Sequence, residues 1–239
     1  MPITFEQLQA KLGPLNESEW HQHPNGNGWV QNTAAVEDTA YVEGIVSGDA
    51  RVYGNARVYG DAQVYGNAQV SGDAWVSGDA WVYGNAQVYG NAQVYGYARV
   101  YGDARVYGNA RVYGDARVYG NARVYGNAQV YGNAWVSGDA WVYGDARVYG
   151  DAWAFSPLQV KGTQHHVTTC THTLIQIGCQ QHPASYWLEH YKAIGRANGY
   201  TADQIAEYGL ILKLAASWLE MKFGKTAPNR DSRGRFVKG

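Results

Sequence analysis

The chain has 239 residues and a formal net charge of −1, so overall charge singles out neither a nucleic-acid nor a membrane partner. It carries 30 Gly, 20 Tyr and 9 Trp, but only two Cys, Cys170 and Cys179, too few for a disulfide framework. No apolar run approaches the ~20 residues of a membrane span, and the N-terminal stretch MPITFEQLQAKLG lacks an apolar signal core, so a cytoplasmic location in a reducing compartment is expected.

Thr4-Phe5-Glu6-Gln7 is a capping box and predicts a short helix to about Leu12. Asn25-Gly26-Asn27-Gly28 is turn chemistry, which makes residues 1–28 an N-terminal cap on a repeat array. From Val46 to Val148 a Val stands at every sixth position, giving 18 hexads. Val30, Val36 and Val42 keep the same step, two residues are missing before Val46, and Ala154 and Val160 hold the phase weakly. The array therefore spans residues 29–160.

The hexad reads V-[YS]-G-[ND]-A-[RQW], with Tyr97 the one break at the Asx place. In an extended segment neighbouring side chains alternate, so Val points inward while Tyr and the Arg/Gln/Trp position point outward. Gly-Asx places a corner in each hexad, and Ala faces inward beside it. Short strands joined by regular corners bury their Val only by stacking coil on coil.

Val52-Tyr53-Gly54-Asn55-Ala56-Arg57 resembles the hexapeptide repeat of left-handed parallel β-helix proteins, [LIV]-[GAED]-x-x-[STAV]-x, departing from it at the second position. The resemblance implies a mainly β, single-stranded parallel β-helix with three hexads per coil and about seven coils. The left hand comes from that family; the spacing alone also allows a right-handed helix of the bactofilin kind. A uniform repeat does not fix its own register, and open end coils invite polymerisation, so distinct caps are expected at both ends.

Residues 161–223 differ in composition. HVTTCTHT and LIQIGC read as two strands, His182-Pro183 breaks the chain, and 184–197 reads as a helix with Trp187, Tyr191 and Ile194 on one face. Thr201-Ala202-Asp203-Gln204 is a second capping box, opening a longer helix with an Ile205, Leu212, Ala215, Leu219 stripe. The expectation is a small α+β unit capping the last coil. Residues 224–239 read as a basic, disordered tail; from Lys222 on, six Lys or Arg face one Asp. Such a tail suits phosphates and equally suits a solvated terminus. Ile177-Gly178-Cys179 followed by a Trp-bearing helix resembles a segment of uncharacterised phage and prophage hexapeptide-repeat proteins. The tail's Arg230-Asp231-Ser232-Arg233-Gly234-Arg235-Phe236 resembles basic segments of phage DNA-associated proteins.

The family likeness raises an acyltransferase, whose general base is a His on or beside the coils. This array holds no His and lacks the looped-out insertion that builds the acyl-donor site. Cys170, His172, Cys179 and His182, spaced C-x-H-x6-C-x2-H, supply the four ligand types of a tetrahedral zinc site and would converge if the two strands pair. The same residues also read as two small buried thiols with surface His, or as a Cys–His pair with no acid or amide placed to complete a catalytic set.

At 18 residues per coil the outward position sorts into three columns. One contains Gln63, Trp81, Arg99, Arg117, Trp135 and Trp153, which after its first member is only Trp and Arg. These are the usual hot-spot residues of interfaces, and they also stack on bases and hold phosphates. The bland alternative is a self-stabilising ladder. An aromatic surface this long is unusual for a free monomer, so a homo-oligomer is expected. The functional expectation is a non-enzymatic binding or scaffold protein of phage type that binds a host protein, a nucleotide signal or nucleic acid, in the manner of a host-defence inhibitor. The alternatives are a virion or filament component, and a transferase-like or metal-dependent enzyme.

Overall fold

A hexad spends two to four residues on a strand and the rest on a corner, and glycine sets the corner. Every sixth residue from Gly48 to Gly144 is a glycine with φ between 60° and 73°. That is the left-handed region, where a Cβ costs an L-residue about 1–2 kcal/mol. At Gly102 the stack adds a steric bar, since a Cβ there would lie 3.0 Å from the backbone nitrogen of Gly120 in the next coil.

The computed structural model describes residues 3–149, 152–153 and 157–224. The chain divides into two compact units, Met1–Asp145 with Tyr149–Ser156, and Ala146–Val148 with Pro157–Gly239. The first unit is a parallel β-solenoid of about seven turns, with one strand of each coil in each of three sheets. Val100 pairs with Val118, and Val118 with Val136, in successive coils 18 residues apart. The array Val and Ala from Ala50 to Val142 are at most 1% exposed and fill a core too narrow for larger side chains. The first coil is two residues shorter, because Val30, Val36 and Val42 pair with Val46, Val52 and Val58.

That first coil lacks the Gly corners, and polar side chains replace them. Thr33 and Thr39 donate their hydroxyls to the carbonyls of Gly48 and Gly54 at 2.6 and 2.7 Å. Gln31 Oε1 and Glu37 Oε2 accept from the Gly48 and Gly54 N–H groups. Upstream, α1 (Phe5–Leu12) has the capping box between Thr4 and Gln7. Its Leu8 packs with Trp20, Trp29 and Ile45. A strand the sequence did not announce, Trp20–Gln22, pairs antiparallel with Trp29–Gln31 and closes one sheet edge. Lys11 of α1 bonds the Asp61 carboxylate.

The Asn/Asp alternation in the corners has a physical rule. Asn85 donates to Asp103, Asn121 to Asp139 and Asn127 to Asp145, all at 3.0 Å. Asn91 and Asn109 continue one such chain down to Asn127. An Asp accepts and cannot donate, so it stands where an Asn of the preceding coil faces it.

In the second unit Gln159–Lys161, His166–Thr169, Leu174–Ile177 and Gln180–Pro183 form a four-stranded antiparallel sheet, two strands more than the sequence announced. Pro183 ends the fourth strand as the N-cap of α2 (Ala184–Ala197), and α3 (Ala202–Phe223) opens with the Thr201–Gln204 capping box. Val167, Ile175, Trp187, Leu212, Ala215 and Leu219 share one core, against which Tyr191 and Ile194 pack. The expected basic tail lies, from residue 225 on, outside the described residues.

The corner rule predicts unequal costs for chemically identical changes. Asn127→Asp would set two Asp in adjacent coils and delete a donor, so it should cost about 0.5–1.5 kcal/mol, more at low salt. Asn109→Asp keeps the donation from Asn91 and should cost less. Equal midpoint shifts for the two variants in denaturant titrations would contradict the rule.

Candidate functional site

Strand pairing places Trp81 between Gln63 and Arg99, and Arg117 between Arg99 and Trp135, on one outward face. The Arg99 guanidinium lies over the Trp81 ring, 4.6 Å from its centroid, and Arg117 over Trp135 at 4.7 Å. A cation held on an indole face is stabilised by about 0.5–1 kcal/mol at an exposed site. Trp81, Arg99 and Arg117 are half-buried, whereas Trp135 is 38% exposed. The same pairing recurs singly on the other two faces, as Arg57 over Trp75 and Arg123 over Trp141.

Trp153 does not continue the column. Trp135 pairs with Ala152, and Trp153 pairs with Val136, one register step from the outward position expected for it. The hexad frame offers only Ala154 at the Val place there, and the observed register assigns that place to the larger apolar residue Trp153. The side chain of Trp153 lies outside the described residues.

Beside the column runs a stack of phenols. Tyr65, Tyr83, Tyr101 and Tyr119 follow at 4.8, 4.8 and 4.9 Å between centroids, with ring planes within 4°. Strand spacing sets this separation. Equivalent stacks occupy the other faces, for example Tyr89–Tyr107–Tyr125 and Tyr95–Tyr113–Tyr131. Ser137 replaces Tyr next to Trp135 and is buried. The corners flanking the column face carry Asp61, Asp79 and Asp115 on one side and Asp103 and Asp139 on the other.

The four residues Cys170, His172, Cys179 and His182 are not brought together. Cys170 and His172 sit at one end of the Leu174–Ile177 strand, Cys179 follows its other end, and His182 pairs opposite Ile175 midway along it. Cys170 is buried, and burial pushes its thiol up to about 12, whereas Cys179 is exposed. His172 stacks on Phe223 at 4.0 Å, and His182 packs against Tyr186 and Trp187. Among the described residues no three His, Cys, Asp or Glu form a group able to hold a metal ion. Two of the candidate ligands therefore lie a whole strand from the third.

Coil stacking, edge closure and the ring columns define a parallel β-solenoid protein. Ten overlapping segments, from 46–60 to 140–154, match the family model described as YdcK Beta solenoid repeat. Together they cover residues 46–84 and 86–154, so the similarity runs through the repeat array. No curated protein matches the chain. No described helix is long and apolar enough to cross a membrane.

Burial, and after it the neighbouring phenols of each stack, raise the pKa of Tyr65, Tyr101, Tyr107 and Tyr125 above the ordinary 10. The folded state thus favours the neutral phenol. Its contribution to stability is complete below pH ~10 and is lost as pH rises through the folded-state values. In a 295 nm titration the native protein should ionise its tyrosines at higher pH than the chain in denaturant. Superimposable curves would contradict the stacks.

Proposed function

We propose that the chain is a non-enzymatic binding and scaffold protein, of the kind resembled among phage and prophage hexapeptide-repeat proteins. In this proposal it works as a homo-oligomer and engages a protein partner through the Trp81, Arg99, Arg117 and Trp135 face. The observation that carries this is the double cation–π pairing on one face, Arg99 on Trp81 and Arg117 on Trp135. Side chains already held in one geometry lose less freedom on association, and Trp and Arg are the residues that dominate interface energies.

Charge favours a protein over a nucleic acid. The column contributes two Arg, and the flanking corners contribute five Asp, Asp61, Asp79, Asp115, Asp103 and Asp139. A polyanion laid on this face would meet more like than opposite charge. The antiparallel strand Trp20–Gln22 closes a sheet edge that a head-to-tail filament would need open, which favours discrete oligomers over fibres.

The test is sedimentation of the purified chain with and without Trp81→Ala and Trp135→Ala. The wild type should form a discrete oligomer at about 100 µM, and the double variant should associate at least ~10-fold more weakly with an unchanged melting temperature. A wild type that stays monomeric, or salt-resistant binding of single-stranded DNA in its place, would overturn the proposal.

A further inference from the structure

The C-terminal unit contains a cavity of about 140 Å3 lined by the end of its sheet, α2 and α3. Trp187, Tyr208 and Ile177 form its buried floor, 2%, 3% and 8% exposed, and Ile194 and Ile205 line its wall. The floor's polar atoms are already committed. Trp187 Nε1 donates to the Ile175 carbonyl at 2.7 Å. The Tyr208 hydroxyl accepts from the N–H groups of Gln164 and His165 and donates to the His165 carbonyl. What the floor presents to an occupant is therefore ring faces and methyls.

The mouth is different. His165, Cys179 and Asn198 line it and are exposed. Asn198 spends its amide N–H on the Ile194 carbonyl at 2.8 Å, which leaves the side-chain carbonyl as an acceptor. Gly178, at φ 56°, brings the backbone against the His165 ring: a Cβ there would lie 3.1 Å from it. The mouth thus gathers an imidazole, an amide oxygen and a thiol above an apolar chamber.

Size and polarity together name the occupant's class. An apolar cavity of about 150 Å3 stays dry and accepts a benzene-sized ring. We propose that this cavity is a binding site for a single phenol-type ring, supplied by a small molecule or by a tyrosine side chain of a peptide. The ring lies on Trp187 and Tyr208, and its hydroxyl reaches His165 and Asn198 at the mouth. This site is independent of the solenoid face.

Cys179 reports on occupancy, because it lies at the mouth and Cys170 is buried. Phenol should slow iodoacetamide modification of Cys179 at least threefold, saturably, with a Kd of about 1 mM, the affinity expected of a ligand this small. 1-Hexanol, an acyclic alcohol of similar size, should not protect. Protection by phenol alone assigns the site to free small molecules; protection by N-acetyl-tyrosinamide as well assigns it to a peptide side chain. By ligand-observed NMR, Cys179→Ser should retain phenol, and His165→Ala should weaken phenol at least threefold while leaving benzene unchanged. Absence of saturable protection by phenol up to about 20 mM, or equal protection by hexanol, would overturn the proposal.

Discussion

The parallel hydrogen-bond ladder between coils is the constraint on which the solenoid depends. Arg99 N–H donates to the Ala116 carbonyl and Arg117 N–H to the Ala134 carbonyl, each at 2.9 Å, and the same bond repeats through the array. Closing this ladder every 18 residues requires a sharp corner in each hexad, which only Gly supplies without strain. It also requires a core of Val and Ala alone. Little about the array's composition is then left free except what faces outward.

Outward residues inherit the strand spacing, and that spacing selects which neighbours work. Phenol rings 4.8–5.0 Å apart lie parallel on one another. A guanidinium one coil away from an indole covers its face. An Asn one coil before an Asp donates to it. Order on the surface is thus a consequence of order in the backbone, and a face of locked aromatic and Arg side chains is a ready-made contact surface. The end coil is held by unrepeated chemistry: the Thr33 and Thr39 hydroxyls, the Gln31 and Glu37 acceptors, and the Leu8–Trp20–Trp29 core. These single-copy contacts fix the register that identical hexads leave open.

The Val period, the Gly-Asx corners and both capping boxes made the solenoid and helices α1 and α3 legible in the sequence. The outward column was legible too, since Trp81, Arg99, Arg117 and Trp135 emerge from counting by 18. Its end was not: the pairing of Trp153 with Val136 depends on a local loss of one residue from the coil, and the hexad phase continues unbroken through that point. The Cys/His spacing suggested convergence, but an antiparallel strand between Cys170 and Cys179 carries them to opposite ends. The cavity of the second unit left no pattern to read, because Gly178, Trp187, Asn198 and Tyr208 come together only through the packing of a hairpin on two helices.

The central claim is that residues 18 apart are neighbours, so that Arg99 and Arg117 share a face. Paired cysteines test it directly in a Cys179→Ser background. Adjacent parallel strands put Cα atoms about 4.8 Å apart, inside the disulfide range. Arg99→Cys with Arg117→Cys should cross-link rapidly under mild oxidation, and Arg105→Cys with Arg117→Cys should not. Cross-linking of the second pair in preference to the first would contradict the stacking.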